Sequence, residues 1–226
     1  MIDEPPVLTV ARNLQRPDAA LVERFRGVPT SFICDAQGGA GALDWRIKPV
    51  TGSSLLGVAM TCHCGPADIL ALSAAVQLCK PGDILIAATD GHTGTAVVGD
   101  LMLGIAKNRG AVGFVTDGLV RDRNDLDRLG LAVYAIGVSP NSPHSHGPGT
   151  VGLPIVCGGR SIAPGDIVIG DRDGVVTVPL PMLAKVLAAL ETVKAAEAGM
   201  LQRVQQGLDV VASAKELLAG SKVQFV

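Results

Sequence analysis

Apolar positions along the chain alternate between a helical and an extended period. Leu21, Val22 and Phe25 recur at helical spacing and predict a helix over Leu8 to Arg26, stopped by Gly27, before a new element begins at Ser31. The small, β-prone run Leu55 to Cys64 predicts a strand. Ile69, Leu70, Leu72 and Val76 give one apolar side to a helix over Pro66 to Leu78, and Pro81-Gly82-Asp83 turns the chain into a strand from Ile84 to Ala88. Ala96 to Asn108 reads as a helix closed by Gly110, a residue that enters the left-handed region without strain. Strands follow at Val112 to Thr116 and Ala132 to Ile136, then a long loop from Val138 to Gly152, then short strands at Pro154 to Cys157, Asp166 to Gly170 and Val175 to Val178. From Pro181 the period becomes purely helical, with Leu183, Val186, Leu187, Leu190 and Val193 on one face. A second helical stretch, Val211 to Leu218, either closes the chain or packs on a neighbouring subunit. Pro81-Gly82-Asp83-Ile84 is echoed by Pro164-Gly165-Asp166-Ile167, which suggests two related half-sheets. The expectation is one mixed α/β domain, with a core over about residues 30–180 and C-terminal helices over about 181–220, and with no linker between parts.

Composition narrows the class. Of 226 residues 48% are hydrophobic and 18% charged, enough apolar surface for a packed core. The formal net charge of −2 and the scarcity of aromatic residues, 3%, argue against a nucleic-acid partner, which needs a basic face or stacking platforms. No apolar run reaches the ~18 residues of a membrane helix. Five cysteines, an odd number, together with the acidic start MIDEPP, predict a reducing, cytoplasmic setting without disulfides. Cys62-His63-Cys64 departs from zinc-site spacing; on a strand the two thiols share a face and His63 lies opposite, so buried thiols are expected.

The chemistry concentrates between Gly91 and Asp125, GHTGTAVVGDLMLGIAKNRGAVGFVTDGLVRDRND. Gly94 and Gly99 flank the start of a helix whose first free amides belong to residues near Leu101 and Met102. Such a start either receives a carboxylate or phosphate, which Gly99 lets approach the backbone, or is an ordinary helix start capped by Asp100. Downstream, the apolar strand ending at Thr116 leads through Asp117-Gly118 to Arg121-Asp122, where open α/β sheets gather ligand-binding groups. Arg121 suits a carboxylate held by two parallel hydrogen bonds, and Asp122 a hard divalent cation.

Asp100, twenty intervening residues, then Arg121-Asp122 with Asp125 three further on, resembles the D-x20-R-D signature of the class II pyruvate aldolases related to 4-hydroxy-4-methyl-2-oxoglutarate aldolase. The same family holds the RraA-like proteins, named for a regulator of ribonuclease activity. Gly158-Gly159 before Pro164-Gly165-Asp166, and Asp171-Arg172-Asp173-Gly174-Val175-Val176 ending at Pro179, extend the resemblance over roughly residues 31–206. The resemblance implies an α/β/β/α sandwich of the swivelling β/β/α type, assembled as a homotrimer or dimer of trimers with sites between subunits. It implies aldol cleavage of a 4-hydroxy-2-oxo acid to pyruvate and a carbonyl product, with oxaloacetate decarboxylation alongside. It further implies Asp122 as the protein ligand to Mg²⁺ or Mn²⁺, Arg121 as the group that binds the keto acid, and the amides around Gly99, Leu101 and Met102 as its carboxylate holder. Asp100 then orients or deprotonates a catalytic water.

A glutamate from the C-terminal helix of an adjacent subunit completes the family's site, for which Glu197 is the candidate; the alternative is a solvated helix residue. His144 and His146 read as surface loop histidines or as substrate-selecting groups, His92 as a pocket or a structural residue, and Cys157 as packing under Gly158-Gly159. The competing class is a non-catalytic regulator that binds a ribonuclease or another protein. A methyltransferase is disfavoured, since no glycine-rich loop with a following acidic ribose ligand is present.

Overall fold

The computed structural model describes residues 6–226. In chain order the strands are β1 (Leu8–Val10), β2 (Lys48–Thr51), β3 (Leu55–His63), β4 (Asp83–Ala88), β5 (Ala96–Val98), β6 (Gly113–Thr116), β7 (Leu119–Val120), β8 (Ala132–Ala135), β9 (Gly137–Val138), β10 (Gly149–Val151), β11 (Ile155–Cys157), β12 (Arg160–Ile162), β13 (Ile167–Gly170) and β14 (Val175–Val178). The helices are α1 (Ala19–Glu23), α2 (Thr30–Ala36), α3 (Leu70–Leu78), α4 (Asp100–Asn108), α5 (Arg123–Leu129), α6 (Leu183–Gln205) and α7 (Ala212–Ala219).

A nine-stranded mixed sheet organises the molecule. Its path runs β1-β10-β3-β4-β6-β8-β2, with β13 and β14 branching from β3. Strand β3 is long enough to serve two neighbours on one edge: Leu55–Val58 pair with β13 and Cys62–His63 with β10, while the other edge pairs in parallel with β4. Strands β4, β6 and β8 are parallel neighbours, and nearly all their residues are buried, as expected of strands covered on both faces. On one face, Leu72, Val76, Leu103 and Leu126 of α3, α4 and α5 pack with Met60, Leu85 and Phe114. On the other, Ile84, Ile86, Val115 and Tyr134 meet the β11–β12 hairpin through Ile155, Cys157 and Ile162. A third cluster joins β13 and β14 to α2 and the first half of α6 through Ile33, Val176, Val186, Leu187 and Leu190.

The three central strands each continue, after a short break, into a second small sheet. β4 leads to β5, β6 to β7 and β8 to β9, and β5-β7-β9 form a parallel three-stranded sheet. Helix α4 leaves the end of β5 and α5 leaves the end of β7, so two helix starts meet at the C-terminal end of the parallel small sheet. This mixed α/β domain, with its helical C-terminal arm, is the architecture the resemblance implied.

Several local expectations are corrected. Leu8 to Arg26 is not a helix: Leu8, Thr9 and Val10 form a strand that pairs with Gly149–Val151, and Pro17 precedes a helix of only five residues. The strand β10 also lies inside the stretch Val138–Gly152, expected to be loop. The helix expected from Ala96 begins at Asp100, because Ala96–Val98 pair with β7 instead. Pro66–Ile69 do not join α3, which starts at Leu70. The two Pro-Gly-Asp turns do not mark separate half-sheets; they feed β4 and β13, which flank the same strand β3. Their aspartates repeat one device: Asp83 accepts the Lys80 N–H at 2.8 Å and Asp166 the Ala163 N–H at 2.9 Å, both carboxylates buried. Asp83 also carries Arg16 at 2.6 Å.

The cysteines behave as core groups. All five are free thiols; Cys62 and Cys64 lie on the same side of the chain with sulfurs 4.0 Å apart, while His63 pairs with Asp90. Burial pushes the Cys157 thiol well up, so it offers no thiolate nucleophile.

Candidate active site

At the end where α4 and α5 begin, a cleft of about 290 Å³ is lined by Val98, Gly99, Asp100, Leu101, Met102, Arg121, Asp122 and Ser142, with Ile69, Ile105 and Pro143 at its margin. Gly99, and not Asp100 as expected, occupies the cap position of α4, and no side chain caps that end. The first intrahelical bond runs from Leu103 N–H to the Gly99 carbonyl, at 3.3 Å. The amides of Asp100, Leu101 and Met102 therefore precede the helical ladder, and these residues line the cleft at the positive end of a nine-residue helix.

Arg121 and Asp122 reach the same space because β7 ends in an abrupt turn. The Arg121 N–H is still stitched to Val98 O at 3.0 Å, whereas Asp122 takes a left-handed conformation, φ 60° and ψ 40°, from which α5 starts. Asp is among the few residues that visit this region readily. The Asp122 carboxylate does not cap α5; its Oδ2 lies 3.2 Å from Arg121 Nε and against the α-carbon of Gly99, where a β-carbon would overlap it. The glycine is required by this close approach, since its φ of −125° and ψ of −169° are open to any residue.

Arg121 donates through Nη1 to the Ser142 hydroxyl, whereas Nε is buried and outside hydrogen-bonding geometry despite the nearby carboxylate. The guanidinium thus keeps donors for a ligand in the cleft. Two carboxylates against one guanidinium leave the cleft acidic, so an anionic substrate and a divalent cation fit it better together than an anion alone. Asp122 is a hard oxygen donor, about one-third exposed and adjacent to open space, which suits a largely hydrated cation of the Mg²⁺ type.

Of the residues singled out from sequence, Gly99, Asp100, Leu101, Met102, Arg121 and Asp122 line one cavity. Glu197 does not: it is exposed on the distal half of α6, beyond the part of that helix that packs on the core. Asp125 is turned to Arg128 at 2.8 Å. His92 is not among the lining residues, and its Nε2 is buried without a partner.

Ser142 had no signal of its own in the sequence, because its role depends on where the loop 139–148 is pinned. That pin is Asp68, a buried carboxylate that accepts the His146 and Gly147 N–H groups at 2.7 and 2.8 Å and the Leu70 N–H at 2.7 Å, and that pairs with His144 Nδ1 at 2.9 Å. Burial opposes the charge on Asp68, but the three backbone donors and His144 outweigh it and hold its carboxyl below the usual range. His144 and His146 are exposed loop histidines, as expected, with the His144 ring and the His146 backbone N–H tied to Asp68. A larger groove of about 390 Å³ beneath α6 carries one charged side chain, Lys185, and no comparable convergence of groups.

Fold and cleft together define a mixed α/β domain with an uncapped helix start beside an Arg-Asp pair. The family match is direct: residues 30–177 fit the RraA-like family, described as Aldolase/RraA, and the chain belongs to that family. It is 34% identical over 167 residues to a Halalkalibacterium halodurans protein provisionally named 4-hydroxy-4-methyl-2-oxoglutarate aldolase, covering 74% of this chain and 80% of that one. Among solved structures, it superposes with a TM-score of 0.74 on Streptomyces coelicolor RraAS2, described as an unusual member of the RNase ES inhibitor RraA family, at 26% identity, covering 83% of this chain and 100% of that one. An uncharacterized Pseudomonas syringae protein gives the same TM-score at 23% identity, covering 85% and 96%, and supports the fold. Among the described residues no helix is long and apolar enough to cross a membrane.

Proposed function

We propose that this chain is a divalent-metal-dependent carbon–carbon lyase that cleaves a 4-hydroxy-2-oxo acid to pyruvate and a carbonyl product and decarboxylates oxaloacetate. The observation that carries the reading is the convergence of Arg121, Asp122 and the free amides of Asp100 to Met102 on one cleft. Breaking the C3–C4 bond leaves an electron pair on the future methyl carbon of pyruvate, which must delocalise onto the 2-oxo oxygen. The amides of Leu101 and Met102 hold the substrate carboxylate at the positive end of α4. Arg121, fixed by Ser142, donates to the oxygen on which charge develops, a preorganised donor of the kind worth several kcal/mol at the transition state. Asp100, at the first position of α4, orients the water that takes the 4-hydroxyl proton. Asp122 would hold Mg²⁺ or Mn²⁺, which when bound would supply Lewis-acid stabilisation of the developing enolate. Decarboxylation of oxaloacetate generates the same enolate and needs no base for a hydroxyl.

A homotrimer or dimer of trimers completes the site in this reading. Leu101 is 79% exposed and Ile105, one turn on, 45% exposed at the cleft's lip, and in this reading Glu197, exposed on the distal half of α6, acts on a neighbouring copy. Pyruvate release from oxaloacetate with Mg²⁺ tests the proposal. Folded Arg121→Ala and Asp122→Ala proteins are expected to lose it, and full activity in both, or in chelator without metal, overturns it.

The similarity to a member of the RNase ES inhibitor family favours a second reading, in which the surface binds a ribonuclease. Inactivity on a panel of 2-oxo acids, together with tight capture of a ribonuclease, would make that reading the better one.

A further inference from the structure

A second group of metal-ligating side chains stands behind the cleft wall. Asp68, His144 and His146 each place a ligand atom within 4.8 Å of the others, and the two imidazoles stack with centroids 5.1 Å apart at 30°. We propose that His144 and His146 bind a borderline divalent cation such as Zn²⁺ or Ni²⁺, with Asp68 as the buried carboxylate that orients His144. This site is distinct from the one built on Asp122, and the inference does not depend on the lyase reading.

Oδ2 of Asp68 already accepts the His146 and Gly147 N–H groups as well as facing His144 Nδ1, and Oδ1 accepts the Leu70 N–H, which leaves little capacity for a direct metal bond. What it does is take the Nδ1–H of His144. That fixes the tautomer with the proton on Nδ1 and leaves Nε2 as a free lone pair, the arrangement found where a carboxylate backs a metal-bound histidine. The His144 side chain is half exposed, so the lone pair is reachable from solvent.

His146 follows two residues on, its backbone fixed by the same carboxylate and its ring exposed beside that of His144. Rotation about its own side-chain bonds brings a ring nitrogen to a shared cation, with water filling the remaining positions. Two imidazoles select a borderline cation over Mg²⁺, which prefers oxygen, so the two sites differ in the metal they take.

The location gives the site a consequence. Segment 67–70 and the histidine loop are already joined by Ile69 N–H to His144 O at 3.0 Å and His144 N–H to Ala67 O at 2.9 Å. The same loop carries Pro143 and Ser142, the partner of Arg121. A cation on the two rings therefore stiffens the wall that holds the guanidinium.

The test is calorimetric titration of the full chain with ZnCl₂ in the Asp122→Ala background, which removes the other carboxylate site. One Zn²⁺ per chain is expected there, lost or weakened at least ~10-fold in the added His144→Ala/His146→Ala pair and weakened ~10- to 100-fold by Asp68→Asn. Since Asp68→Asn threatens the loop itself, His146→Gln, on an exposed ring, provides the variant that leaves folding intact and must also weaken binding. Zn²⁺ is expected to raise the thermal midpoint of the Asp122→Ala protein and not that of the double-histidine variant. Equal Zn²⁺ affinity with and without the two histidines, or no Zn²⁺ binding in the Asp122→Ala protein, overturns the proposal and leaves the lyase reading untouched.

Discussion

Replacing Gly99 by alanine separates the chemistry of the cleft from the stability of the fold. The backbone there is extended, so alanine adds no conformational strain, and the expected stability cost is that of a poorer helix cap, about 0.5–1 kcal/mol. For a chain of this size that corresponds to a fall of roughly 1–4 °C in thermal midpoint. The new β-carbon, however, would overlap Asp122 Oδ2 and sit 3.0 Å from both Cγ and Nε of Arg121. Both side chains must give way. A displacement of about 1 Å in a positioned group costs on the order of 10²-fold in rate, or about 2.7 kcal/mol. The assay is pyruvate formation from oxaloacetate, coupled to lactate dehydrogenase, beside a thermal melt of the same sample. The expected outcome is a near-native melt with kcat/KM down about 100-fold. A Gly99→Ala enzyme within ~3-fold of wild type would refute the claim that the glycine exists to let the carboxylate approach.

Further outcomes follow from other contacts. Ser142→Ala frees Arg121 Nη1 and is expected to lower kcat/KM by about 1 kcal/mol, or roughly 5-fold, with the melting temperature unchanged; an unaltered kcat/KM would show that the hydroxyl does not position the guanidinium. Arg16→Ala strands the buried Asp83 carboxylate and is expected to destabilise the fold by about 3 kcal/mol in urea unfolding; a loss below ~1 kcal/mol would mean that the Lys80 N–H suffices. Asp68 has a folded pKa below its unfolded one, so its contribution is fully present above about pH 4 and lost as the pH falls through the lower folded value. The stability gap between wild type and Asp68→Asn should accordingly narrow from pH 6 to pH 3, and a gap that stays constant contradicts the assignment.

The Asp100 to Asp122 constellation was legible because it is local in origin. One helix start and one strand end lie in a single βαβ stretch, and the spacing carries them to the same end of the small sheet. The misread elements share the opposite property. Leu8–Val10 is a strand only because Gly149–Val151 lies beside it, about 140 residues away, and no local period reports such a partner. Ala96-Val97-Val98 is a continuous apolar run that fits either period, and its pairing with β7 decides for strand. Ser142 and Asp68 escaped for a third reason: each works through a side-chain bond between loops, and a serine between prolines looks like any turn residue. Glu197 was legible as a helix residue, but its proposed role belongs to an assembly and not to one chain.

The small sheet β5-β7-β9 has a consequence for how this molecule would tolerate redesign. Its strands are two or three residues long and rest on one another, so a residue inserted into either of the first two would swing both acidic loops at once. The third strand instead releases the chain into the segment fastened downstream by Asp68. New selectivity is therefore best sought by varying positions 139–143 other than Ser142, which holds Arg121, between those two anchor points, while the rest of the mouth keeps its shape.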